Sequence, residues 1–201
     1  MNPLDIIARY YDPASEAGSR LIRHSEQVAK KALGIAEYLK HLNPDHRFIE
    51  EAALLHDIGI FYTRAPSIGC FGEHPYVCHG YLGRALMDTL GYPRHGLVCE
   101  RHVGAGLNVD EICRHHLPLP VRSMVPVSLE EEIICYADKF FSKNIENREN
   151  RETELPMDAV TAKIENYGPA QLARFKVWAE RFEPAVFQRW QLETGDAEIF
   201  S

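Results

Sequence analysis

The stretch Ala52-Ala53-Leu54-Leu55-His56-Asp57-Ile58-Gly59 constrains this chain more than any other. Four small or apolar residues run unbroken into an adjacent histidine and aspartate, and a glycine then stops the element. A helix ending Ala-Ala-Leu-Leu belongs to a core, so the two polar groups that follow arrive at the edge of the interior. A carboxylate placed there is costly unless it is paired or bound to a cation. Histidine beside aspartate offers a nitrogen and an oxygen donor at one point, a set suited to a divalent metal.

The surrounding periodicity is helical. From about residue 14 to 42, Leu21, Ser25, Val28, Ala32, Ile35 and Leu39 follow a three-four spacing along one face. His24 borders that face, and Arg20 lies one turn before it. Asn43-Pro44 breaks the helix, and Asp45 caps a second one that runs to Asp57. Residues 58–75 carry glycines and prolines at close intervals and read as a long loop of the kind used in binding sites.

Pro75 opens a third helix, about 76–90, with His79, Leu82, Leu86 and Leu90 on its inner face. A short helix near 94–103 places Val98 and His102 one turn apart, and Asp110 caps another at 111–116. Ser128-Leu129-Glu130-Glu131 reads as a capping box for a helix reaching about Asn144, with Ile134, Asp138 and Phe141 on one face. A charged, exposed stretch at 146–154 precedes helices near 156–167 and 169–192, where Trp178, Phe182 and Trp190 supply packing or a dimer surface. No stretch alternates as a strand would, so the expectation is an all-α fold in a single domain over 1–201.

Composition removes several classes of function. A net charge of −7 argues against a surface that coats nucleic acid, which is normally basic, but leaves room for a small anionic substrate. No apolar run approaches the roughly 20 residues that span a bilayer. The start, Met1-Asn2-Pro3-Leu4-Asp5, lacks the basic and apolar segments of a secretory signal. Five cysteines without a CxxC pair suggest reduced thiols and a cytoplasmic protein. The ten histidines are the unusual feature.

Five separate helices each turn a metal-capable group inward: His24, His56 with Asp57, His79, His102, and Asp138. Any one alone reads as a satisfied core residue; five together point to a metal centre. The pieces Arg23-His24-Ser25-Glu26-Gln27-Val28-Ala29, Leu54-Leu55-His56-Asp57-Ile58-Gly59 and Tyr136-Ala137-Asp138-Lys139 resemble the HD-domain superfamily of metal-dependent phosphohydrolases over about residues 20–143. The resemblance implies an HD-type helical bundle, extended here by C-terminal helices at about 156–192. It also implies that His24, His56, Asp57 and Asp138 hold one metal. His79 and His102 match the binuclear branch, which includes diadenosine-tetraphosphate hydrolases and cyclic-dinucleotide phosphodiesterases. In that branch Asp57 would bridge to a second metal held by these two histidines and would be the catalytic carboxylate.

Nitrogen and oxygen ligands without thiolate favour iron or manganese, with zinc, cobalt or nickel also compatible. The implied chemistry is attack of a metal-held hydroxide on a phosphate ester or anhydride of a small nucleotide-like substrate, with no nucleic-acid polymer or membrane as partner. Arg20, Arg101 and Lys139 are the cations nearest the ligands in sequence and are candidates to hold phosphate, as is His74 at the end of the long loop. His115 and His116 compete with His102 for the second metal. Two other functions share this pattern: a mixed-valent di-iron oxygenase on the same ligands, and a non-catalytic binder of phosphorylated ligands. A homodimer through 175–190 is also open.

Overall fold

The computed structural model describes residues 1–142 and 154–195, and its architecture is helical. In chain order the helices are α1 (Pro3–Ile7), α2 (Glu16–Tyr38), α3 (His46–Leu55), α4 (His79–Thr89), α5 (Pro93–Arg101), α6 (Val109–Arg114), α7 (Leu129–Asp138), α8 (Met157–Glu165), α9 (Pro169–Phe182) and α10 (Pro184–Thr194). Short polar residues start the long ones. The Ser15 hydroxyl accepts the Gly18 N–H at 3.0 Å to open α2, and the Asp45 carboxylate accepts the Phe48 N–H at 3.0 Å to open α3. Each satisfies an amide that the first helical turn leaves without an intrahelical partner.

Three apolar clusters form among the described residues, and α3 contributes to the two larger ones. The larger joins α2 (Val28, Ala32, Ile35), α3 (Ile49, Ala52, Ala53) and α7 (Ile133, Ile134, Tyr136) to the C-terminal helices. There the Tyr136 ring stacks on Phe175 at 5.1 Å and meets Phe182 edge-on, while its hydroxyl donates to Glu183 at 2.8 Å. Phe175, Trp178, Phe182 and Phe187 are all buried. At about 1.5–3 kcal/mol for each large apolar side chain, they hold α9 and α10 in place far more strongly than surface ion pairs could. The second gathers Ile6 and Ile7 of α1, Tyr11, Leu55, Ile58, Ile68 and Met87, and the smallest joins Leu107, Ile112 and Met124 beside the loop after His102.

Several sequence expectations change in detail. Residues 58–75 are not featureless: a 3-10 turn at Ile58–Tyr62 leads into an antiparallel hairpin, β1 (Arg64–Ala65) with β2 (Cys70–Phe71). Strands of two residues are too short to show alternation. Asn108, not Asp110, caps α6, in a reciprocal capping box with Glu111. The Ser128 hydroxyl does accept the Glu131 N–H at 3.2 Å, but the Glu131 carboxylate takes the Val127 N–H instead of completing the box. Helix α7 ends at Asp138 rather than near Asn144. The helix expected over 169–192 breaks at Glu183-Pro184, because proline disfavours a helical conformation in the residue before it. Trp178, Phe182 and Trp190 are core residues within the chain. The charged stretch at 146–154 lies outside the described residues except for Glu154.

Candidate metal centre

Five of the six expected ligands sit at helix ends. His56 caps the C-terminus of α3 and Asp57 follows it. His79 is the first residue of α4, His102 caps the end of α5, and Asp138 is the last residue of α7. Only His24 comes from the middle of a helix, on the buried face of α2. All six are buried.

Their donor atoms form two groups that share Asp57: His24, His56, Asp57 and Asp138 in one, and Asp57, His79 and His102 in the other. The two Asp57 oxygens divide the work. Oδ2 lies 3.4 Å from His24 Nε2 and 3.2 Å from His56 Nε2, whereas Oδ1 lies 3.3 Å from His79 Nε2 and 3.2 Å from His102 Nε2. Asp138 Oδ1 completes the first group at 3.0 Å from His24 and 3.4 Å from His56.

The tautomers follow from the backbone. Nδ1 of His56, His79 and His102 lies 2.6, 2.6 and 2.8 Å from the carbonyls of Ala53, Tyr76 and Cys99, each three residues earlier. A carbonyl can only accept, so each Nδ1 carries a proton, and in the neutral ring each Nε2 turns a lone pair toward Asp57.

This arrangement fits metal ions. Nε2 of His79 and His102 are 3.0 Å apart, two lone pairs facing each other unless a cation lies between them. His56 Nε2 is buried and makes no hydrogen bond among the described residues, although two carboxylate oxygens are within 3.4 Å. Without a metal, burial opposes charge on His56, but Asp57 and Asp138 outweigh it and raise its pKa to about 9. Burial holds His102 below its ordinary value. The thiols of Cys99 and Cys135, close to the ligands in the chain, are pushed upward by burial, Cys135 to about 12. They stay protonated near neutral pH and offer neither thiolate ligand nor nucleophile.

A cavity of about 780 Å³ borders the cluster at His79, His102, Asp138 and Lys139. Of the four side chains expected to hold substrate, only Lys139 lines it. Its ammonium donates to Asp138 Oδ2 at 2.7 Å and to the His102 carbonyl at 2.8 Å, tying the two ligand groups together. The other three lie elsewhere. Arg101 is paired with Glu131 at 2.8 Å. Arg20 does share a helix with His24, but its guanidinium turns to Glu16 and to the Ser67 carbonyl. The His74 side chain is exposed, while its backbone bonds Tyr62 and Arg64. His115 reaches the cavity wall, yet neither it nor His116 joins a ligand group.

Sequence reasoning missed the residues that hold the ligands in place. The Tyr11 hydroxyl donates to the Ile58 carbonyl at 3.1 Å and accepts the Phe61 N–H at 2.9 Å, pinning the turn directly after Asp57. Gln171 accepts the Ala105 N–H at 2.8 Å, and Arg174 donates to the Ala105 and Gly106 carbonyls at 2.7 and 2.9 Å, clamping the loop after His102. No local pattern marks these residues, because each acts on a segment far away in the chain.

Comparison with known proteins agrees with this geometry. The HD domain family matches residues 21–142. An uncharacterized protein of Methanocaldococcus jannaschii is 31% identical over 134 residues, covering 61% of this chain and 72% of that protein. Two proteins named tRNA (cytidine(56)-2′-O)-methyltransferase, from Picrophilus torridus and Thermoplasma volcanium, are 33% and 30% identical over 64% and 69% of this chain. The matched region spans only 33% and 35% of those two proteins. No solved structure matches significantly. With the family match covering most of the chain and the buried histidines and aspartates gathered around Asp57, this protein belongs to the HD domain family.

Proposed function

We propose that this protein is a phosphohydrolase with two divalent transition metals, iron or manganese foremost, that cleaves an ester or anhydride bond of a small nucleotide-like substrate. The observation that carries this reading is the split of the Asp57 carboxylate, one oxygen toward each ligand group, beside a cavity large enough for a nucleotide. Two such metals, when bound, lower the pKa of a water and draw charge from phosphoryl oxygens.

The chain's own residues do the rest. Asp57 would hold both metals. His24, His56 and Asp138 would hold one with it, and His79 and His102 the other, and the Nδ1–H bonds keep three of the histidines aimed. Lys139 holds Asp138 Oδ2, which leaves Oδ1 facing His24 and His56. Val103, Leu107 and Leu117 on the cavity wall keep the reacting group in a less polar setting, where these charges act more strongly. The methyltransferase name of two relatives does not lead this reading, since the match spans about a third of their length.

The test is phosphate release from a panel of nucleotides and dinucleotides by protein reloaded with iron or manganese, wild type beside Asp57→Asn. The expected result is metal-dependent release that falls at least a hundredfold in the variant. No release from any substrate, or equal release by both proteins, refutes the proposal. Oxygen uptake without phosphate release would favour the di-iron oxygenase instead.

A further inference from the structure

The hairpin 64–71 is the one sheet among the described residues of a helical protein, and it is firmly held. The Arg64 N–H donates to the His74 carbonyl at 2.8 Å, and Arg64 stands opposite Phe71 in the strand pair. Arg20 of α2 hooks the Ser67 carbonyl in the connection between the strands. The hairpin is thereby fastened to the helix that carries His24. Its purpose is legible in what it presents: Arg64, Ser67 and Ile68 form part of the cavity wall.

Among the described residues, Arg64 is the one arginine that lines this cavity, and its guanidinium meets no carboxylate. In a chain with 29 acidic and 22 basic residues, an arginine left without a carboxylate beside a binding cavity is notable. Arg20 and Arg101, by contrast, are both neutralised by glutamates. Lys139 is held by Asp138 at the cluster itself. Besides the cluster that would hold metals and its Lys139, the cavity wall carries the exposed Lys163 of α8 and the Arg64 guanidinium, and of these last two only Arg64 stands on an anchored strand.

We propose that Arg64 binds a second anionic group of the substrate, away from the one that reacts. The preferred substrate class is then a nucleoside polyphosphate or dinucleotide polyphosphate rather than a nucleoside monophosphate. This rests on the phosphohydrolase reading above and narrows it. The planar guanidinium suits a two-point contact with a phosphate, and Arg20 acts as a positioning residue through the hairpin.

Calorimetric titration of metal-loaded protein with adenosine monophosphate and with non-hydrolysable adenosine 5′-(β,γ-imido)triphosphate tests this. Wild type, Arg64→Gln, Arg64→Lys and Arg114→Gln are compared, the last altering an exposed arginine of α6 that does not line the cavity. Arg64→Gln should weaken triphosphate binding about tenfold or more and leave monophosphate binding within about twofold. Arg64→Lys should fall between, and Arg114→Gln should match wild type. Equal loss for both nucleotides, no loss for either, or a wild type that binds neither overturns the inference.

Hydrolysis is scored separately with p-nitrophenyl phosphate, which carries a single anionic group. A protein that hydrolyses it while Arg64→Gln leaves triphosphate binding unchanged loses only the role of Arg64. A protein that shows the tenfold effect but releases no phosphate from any substrate loses only the hydrolase reading.

Discussion

Replacing Gly59 by alanine should open the second ligand group while sparing the first. Gly59 follows Asp57 by two residues and lies against the start of α4. A Cβ built there would sit 2.3 Å from the His79 carbonyl oxygen and 2.4 and 2.8 Å from backbone atoms of Gly83. Ordinary contact begins near 3.4 Å, and these neighbours are main chain, so no side chain can swing away. The turn and α4 must move apart by about 1 Å. That motion carries His79 away from Asp57, stretching their 3.3 Å approach beyond the reach of a shared ion, whereas His24, His56 and Asp138 are on other helices. Overpacking of this kind costs about 1–3 kcal/mol, equivalent to a fall in melting temperature of roughly 2–12 °C at this chain length. Metal content by mass spectrometry, read beside the melting temperature, is the assay. We expect two equivalents in wild type and one in a folded Gly59→Ala protein. A variant that keeps both metals at unchanged affinity would refute the argument that this contact sets the spacing of the cluster.

Three further outcomes follow from the same geometry. Tyr11→Phe removes both hydrogen bonds that pin the turn after Asp57, and denaturant unfolding should show a loss of about 2–3 kcal/mol. Gln171→Leu leaves the buried Ala105 amide unsatisfied; it should cost about 1–3 kcal/mol and weaken the metal at His79 and His102 more than the metal at His24 and His56, as equilibrium metal titration would reveal. For His56 in metal-free protein, burial lowers the pKa, but Asp57 and Asp138 raise it to about 9 on balance. The resulting stabilisation is present in full below the unfolded value near 6.5 and is lost as pH rises through 9. The stability gap between metal-free wild type and His56→Gln should therefore shrink by up to about 3 kcal/mol from pH 6.5 to 9, and a gap independent of pH would contradict it.

Local signals were legible in the sequence wherever the physics is local. Asp45 and Ser128 cap the helices they were expected to cap, because a short polar side chain needs only its own next turn. The buried stripe Leu21, Ser25, Val28, Ala32 and Ile35 follows from the pitch of one helix. The junction of Leu55 with His56 and Asp57 marked the edge of the interior because an apolar run cannot end in a charge without a reason. The break at Glu183-Pro184 is a local signal too, since proline keeps the residue before it out of the helix although apolar spacing continues across the break. Asn108 and Asp110 illustrate a closer contest, in which either residue is a competent cap and the backbone entering α6 selects the first.

The sequence by itself therefore determined a helical chain with six metal-capable residues in a known order, since pitch, capping and burial are set by neighbours a few positions apart. Tertiary structure alone decided what those residues and their companions do. Arg20 lies on the correct helix and still turns away to Ser67, 47 residues distant, because a long side chain goes to whatever partner the fold brings near. Arg64 lacked a pattern to single it out until a two-residue strand set it on the cavity wall. Asp57 supplies the clearest case. That its oxygens face two different histidine pairs depends on α2, α4 and α5 meeting at one carboxylate, and contacts between segments so far apart leave no trace in local periodicity.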